Sequence, residues 1–286
     1  NARRSVVFCY QCEQTAKGTG CTAGGVCGKD AQTAALQDLL LHVLKGLSMY
    51  SRRARHLGVR SREADVSTVE ALFATLTNVN FDAGRIREFI LRAHELKRQV
   101  RAAYEQACRQ AGRQPESLAG PAAFSPARDL EDLVRQGEEV SIAKRKEALG
   151  DDVTGLQELL TYGLKGMAAY ADHAQLLGFE DEAAYAFFHQ TLDYLSGDPT
   201  SVEDLVGWCL KCGEMNLRVM ELLDAAHTST YGNPIPTLVR IEPLRGKAIL
   251  ISGHDMRDLE ELLKQTQGKG INIYTHGEML PAHGYP

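Results

Sequence analysis

Nowhere in the 286-residue sequence does an apolar run approach the 18 or more residues that a membrane span requires, so no transmembrane helix is expected. A surplus of positive charge is missing too: 32 Lys and Arg stand against 37 Asp and Glu, a formal net charge of −5. Proteins that release counterions from a phosphate backbone need the opposite balance, so nucleic acid is not an expected partner. Asn1 to Val7 carry a brief basic start with neither an apolar core nor a small-residue cleavage site, so no secretory signal is expected. The Asn1-Ala2 start without Met reads as a processing or tag remnant. A complete disulfide framework is also lacking, because seven cysteines leave one thiol over. A chain of this length buries a large core without such staples. The expected location is cytoplasmic, where clustered cysteines mean metal binding or redox chemistry. What remains is an ordinary globular composition, 44% hydrophobic and 24% charged, of a length that suggests about two domains.

An internal repeat organises the middle of the chain. Residues 36–58 (LQDLLLHVLKGLSMYSRRARHLG) and 156–178 (LQELLTYGLKGMAAYADHAQLLG) share eleven of 23 positions at a constant offset of 120. Both copies have helical period: Leu36, Leu39, Leu40, Val43, Leu47, Tyr50, Ala54 and Leu57 in the first, Leu156, Leu159, Leu160, Met167, Tyr170, Ala174 and Leu177 in the second. Gly58 and Gly178 fall where a C-cap glycine belongs. Gly46 and Gly166 lie mid-helix, which costs roughly 1 kcal/mol each against Ala and suggests a close helix–helix approach as compensation. Further helices are expected over 69–79 and 83–110 after the first copy, and over 180–195 and 201–226 after the second. The last starts at a capping-box-like Ser201-Val202-Glu203-Asp204. Gly112–Pro126 reads as a loop.

After Thr228 the pattern changes. Tyr231-Gly232-Asn233-Pro234 is a turn cluster. KAILIS (247–252) and INIYT (271–275) read as strands flanking an amphipathic helix over 256–266, one βαβ unit. Two parallel strands and one helix cannot cover both faces of a sheet, so the chain is expected to continue beyond Pro286 or to lean on another part of a larger protein. The expected fold is mostly α with a C-terminal α/β piece: two repeated three-helix bundles, then the beginning of a Rossmann-like parallel-sheet domain. Its parts are a four-cysteine loop (3–34), a helical domain (35–228, with repeats 35–112 and 155–228 and a linker 113–154) and the α/β piece (229–286).

Cys9, Cys12, Cys21 and Cys27 follow a C-x2-C-x8-C-x5-C spacing. Four thiolates on one loop suit an iron–sulfur cluster or a structural zinc. Glycines at 18, 20, 24, 25 and 28 let the backbone wrap a compact centre and aim N–H groups at sulfur. Only Cys9 and Cys12 form a tight pair, whereas structural zinc commonly uses two, and the spacing differs from both common ferredoxin runs. Iron–sulfur, zinc and inert or disulfide cysteines all stay open on spacing alone. Near the other end, His254 and Glu278 each follow a strand at its carboxyl end, where open parallel sheets bind ligands. The alternatives there are a helix-cap histidine and an exposed loop glutamate.

CYQCEQTAKGTGCTAGGVCGK (9–29), followed by LQDLL and LKG, resembles the N-terminus of the hybrid cluster protein family, also called prismane proteins or hydroxylamine reductases. The resemblance continues through both repeats and returns in TYGNP (230–234), ISGHD (251–255) and YTHGEMLPAHGYP (274–286). It implies that Cys9, Cys12, Cys21 and Cys27 ligate a [4Fe–4S] cluster, since this spacing is that of the family group carrying one. It also implies that His254 and Glu278 are two ligands of a hybrid iron–sulfur–oxygen cluster whose other ligands lie in a C-terminal half absent here, so this chain alone is expected to be inactive. The implied activity is two-electron reduction of hydroxylamine to ammonia and water, or of nitric oxide, with an unidentified electron donor. A pure electron-transfer module, a zinc-stapled interaction domain and a carbon monoxide dehydrogenase relative are the competing readings.

Other residues read as structural. Cys209 and Cys212 lie one turn apart on a stripe with Leu205, Val206 and Met220 and are expected in the core, as is Cys108. His276 and His283 flank Glu278 and are expected to be solvated, with a proton-donating role as the alternative. Arg52–Arg55 (RRAR) is expected to be a solvated helix face.

Overall fold

The computed structural model describes residues 8–286. Residues 1–7, which hold the Asn1-Ala2 start and the first part of the 3–34 segment, lie outside the described residues. The chain is mostly helical with a small parallel sheet near its C-terminus. It divides into two compact units, Asn1–Ala169 with Glu182–Asn216, and Tyr170–Asp181 with Leu217–Pro286.

Helix α1 (Ala31–His56) is the spine of the first unit. It begins where Asp30 accepts the Thr33 N–H at 2.7 Å, a side-chain cap for an otherwise orphaned donor. It ends with Gly58 at φ 76 and the Val59 N–H bonded to the Ala54 carbonyl, a left-handed C-terminal cap. The stripe from Leu36 to Ala54 is buried, as its period requires. Helices α2 (Arg62–Ala74) and α3 (Ala83–Gln110) pack around α1. The expected 69–79 helix therefore starts and stops earlier, because the Ser61 hydroxyl caps Ala64 and residues 75–79 close in turns.

The linker between the repeats is not bare. It carries a 3-10 turn (Gly120–Ala122), α4 (Leu130–Glu139) and α5 (Ile142–Leu149). Gly46 does meet a close neighbour, but the neighbour is the turn: an added Cβ would overlap the Pro121 carbonyl. Its repeat partner Gly166 has nothing within 4 Å, so close approach explains one mid-helix glycine and not the other. Second-copy helices α6 (Asp151–Leu176), α7 (Glu182–Ser196) and α8 (Val202–Tyr231) repeat the triple, and Ser201 caps α8 through the Asp204 N–H at 3.2 Å. Helix α8 runs to Tyr231, past the expected end at 226.

In the second unit β1 (Lys247–Ser252), α9 (Met256–Thr266) and β2 (Ile271–His276) form the βαβ motif, parallel and in register from Lys247↔Ile271 to Ser252↔His276. Asp255 caps α9 by accepting the N–H groups of Arg257 and Asp258. Strand β1 is mostly exposed, with Leu250 at 69%.

Candidate functional site

The four-cysteine loop folds back on itself through backbone bonds. Cys9 and Cys21 form an antiparallel bridge, with N–H to O distances of 3.1 and 2.8 Å in the two directions. Gly20 at φ 140 brings the chain past the Phe8 ring, and Gly25 closes the far end by donating to the Lys29 carbonyl at 2.8 Å. All four thiols are free; Cys21 is buried, Cys9 and Cys12 are half-buried and Cys27 is exposed.

Cys21 sits in the most developed thiolate environment. The Ala16 N–H lies 3.4 Å from its sulfur and the Thr15 hydroxyl 3.7 Å. These donors, the Ala16 N–H first and with the Val26 N–H and the Lys29 charge also contributing, hold the Cys21 thiol below its ordinary pKa. The Lys29 ammonium lies 3.9 Å from the Cys9 sulfur. Tyr10 meets Tyr162 of α6 edge-on, centroids 6.1 Å apart, behind the same loop. A soft, all-sulfur donor set with an N–H group aimed at one of its sulfurs fits an iron–sulfur cluster. Among the described residues no three or more His, Cys, Asp or Glu side chains are gathered as a ready-made metal cage.

The second unit brings the other two candidate residues together. His254 stands two residues beyond β1 and Glu278 two beyond β2, and His254 Nε2 is hydrogen-bonded to Glu278 Oε2. Both side chains are exposed. Parallel in-register strands put their carboxyl ends side by side, which is why residues 24 apart in sequence meet. An imidazole nitrogen beside a carboxylate oxygen is a mixed donor pair suited to iron. The flanking histidines are held by hydroxyls instead: His276 Nδ1 lies 3.1 Å from Ser252 Oγ and His283 Nε2 2.7 Å from Thr275 Oγ1.

The remaining cysteines differ in kind. Cys108 and Cys212 are buried, and burial pushes the Cys212 thiol up to about 11, away from thiolate chemistry. Cys209 is half-buried, and the expected stripe holds at Leu205 and Cys212 but not at Val206 and Met220, which are exposed.

Arg52–Arg55 is not a solvated face. Arg52 and Arg53 both reach Asp193 of α7, at 2.6 and 2.9 Å, and Arg55 pairs with Asp65 and Glu182. Beside them Ser48 Oγ, His189 and Asp65 form a buried chain, 2.9 Å at each step. Ser48 and His189 are 0% exposed, so this Ser-His-Asp order ties α1 and α2 to α7 and offers no nucleophile to a substrate.

Two charged pairs at the repeat offset escaped the sequence reading although the repeat itself carried the signal: Asp38 with Glu158, and Lys45 with Lys165. Asp38, Lys45 and Glu158, with Arg145, line a cavity of about 310 Å³. Burial, then the Glu158 charge, raise the Asp38 carboxyl to about 6. Lys165 turns elsewhere, donating to the Thr75 carbonyl at 3.2 Å beside the Tyr162 ring.

Residues 7–286 match the model of the Prismane/CO dehydrogenase family. Three relatives are each named hydroxylamine reductase: those of Rhodospirillum rubrum, 53% identical over 280 residues, Methanocella arvoryzae, 52% over 280, and Acidithiobacillus ferrooxidans, 50% over 285. The similarity covers 98% of this chain and 51% of each relative, so the chain spans about half the length of the curated relatives it matches.

Proposed function

Since the chain belongs to the Prismane/CO dehydrogenase family, we propose that it is the N-terminal portion of an iron–sulfur oxidoreductase that reduces hydroxylamine to ammonia and water. Cys9, Cys12, Cys21 and Cys27 would hold a [4Fe–4S] cluster, which would supply one-electron chemistry between a donor protein and the second centre. His254 and Glu278 supply two ligands of a second, hybrid iron–sulfur–oxygen cluster. When bound, that centre would supply Lewis-acid and redox chemistry to the N–O bond. Nitric oxide is an alternative substrate of the same chemistry, and the location is cytoplasmic.

The observation that carries this reading is the hydrogen-bonded meeting of His254 with Glu278 at the carboxyl ends of paired strands. Two side chains cannot saturate an iron cluster, and the exposed faces of β1 fit a sheet that continues in further chain. The 286-residue chain alone therefore carries the cysteine-bound cluster and no turnover. The loop residues act separately from that pair. The Ala16 and Val26 N–H groups stabilise the Cys21 sulfur as an anion.

Iron and sulfide quantitation with visible and EPR spectroscopy tests this. About four iron atoms per chain are expected, lost together in C12S and C27S. A colourless, iron-free chain, or one reducing hydroxylamine by itself, overturns the reading. A pure electron-transfer module would keep its cluster but show no effect of H254A on turnover in a chain extended to the relatives' length.

A further inference from the structure

We infer that Lys29 sets the reduction potential of the loop's cluster: its buried side chain holds a positive charge against the Cys9 sulfur and favours the reduced state. The inference rests on the cluster reading above.

Lysine is seldom buried without an ionic partner, yet Lys29 is 4% exposed. Among the described residues no carboxylate forms an ion pair with it. Its ammonium instead lies 3.9 Å from the Cys9 sulfur. The placement is built into the backbone. The Gly25 N–H bonds the Lys29 carbonyl, and a Cβ at Gly25 would stand 3.0 Å from the Lys29 nitrogen, the Lys29 Cβ and the Cys27 sulfur. A side chain at 25 would therefore crowd both the Lys29 backbone and the Cys27 sulfur. Asp30, the next residue, caps α1 and anchors the other side. A second buried ammonium, Lys165 on α6, is 3% exposed and near enough for the Cys9 charge to act on it. Two donors thus face the sulfurs, the Ala16 N–H at Cys21 and Lys29 at Cys9.

One added electron raises the cluster's negative charge by one. A cation fixed in a low-dielectric surrounding stabilises the more negative state more than the less negative one, so the potential rises. Burial also removes the charge from salt screening.

The test is a mediator-poised redox titration of the loaded chain, with dithionite as electron source and EPR as readout, on wild type, K29M, K29Q and K29R. Loss of the charge in K29M and K29Q is expected to shift the one-electron equilibrium about tenfold toward the oxidised state, about 59 mV lower. K29R is expected to stay near wild type. Loaded K29M and K29Q at the wild-type potential overturn the role of Lys29 while leaving the cluster reading intact. If neither uncharged variant loads iron while K29R does, Lys29 serves assembly of the loop, and the proposal falls. A wild-type chain without iron overturns the cluster reading and this inference with it.

Discussion

Asp65 is buried at 4% exposure, with His189 Nε2 2.9 Å and Arg55 2.5 Å from the same carboxylate oxygen. Burial pushes its carboxyl up, but the hydrogen bonds and charges of His189 and Arg55 outweigh that and hold it below the usual carboxylate range. A depressed carboxyl pKa contributes stability that is fully present above the unfolded value near 4 and is lost as pH falls through the folded one. D65A should therefore lower stability by about 3 kcal/mol at neutral pH in urea titration, because it takes from Arg55 the buried one of its two carboxylates and leaves His189 Nε2 unpaired, and should flatten the acid limb of the stability curve. An unchanged acid limb would remove Asp65 from this account. None of this was legible in the sequence. Arg52–Arg55 looked solvated because its acidic partners, Asp193 and Asp65, lie on other helices; Asp193 is 140 residues away. Lys29 was hidden for a related reason, since a lysine after a cysteine motif has no period that reports its burial.

Helices and strands were far more legible. The β1 and α9 spans, the α3 span and the capping glycines at 58 and 178 follow from period and cap chemistry alone. What periodicity could not say is which neighbour arrives at a helix face. Gly46 and Gly166 occupy equivalent positions of the repeat and look identical in sequence, yet only Gly46 is pressed by another carbonyl. Opposite outcomes are expected. G46A should lower the melting temperature, by the roughly 1–3 kcal/mol that overpacking costs. G166A should raise it slightly, by roughly 0.5–1 kcal/mol of helix propensity. Calorimetry on the two variants decides it, and equal signs would refute the packing difference. The same limit applied to the site: strand ends were expected to carry His254 and Glu278, and the register of the parallel pair explains why they touch.

Across the whole molecule, protection is uneven. Leu238 and Ile241 are 104% and 94% exposed on a segment without strand or helix, while the α1 stripe is fully buried. Brief thermolysin digestion should cut first between residues 235 and 244, read by intact mass, whereas first cuts inside α1 would contradict this order of exposure. Family membership came from residues spread over nearly the whole chain, and the sequence motifs that suggested it lie in both units. The duplicated lysines show what became of the ancient symmetry. Lys45 lines the cavity that it shares with Asp38 and Glu158, whereas Lys165 donates to the Thr75 carbonyl. Two matching positions of the repeat thus have different occupations: a charge lost from the first copy would take a cation from two neighbouring acids, while the same loss from the second would leave a buried carbonyl without its donor.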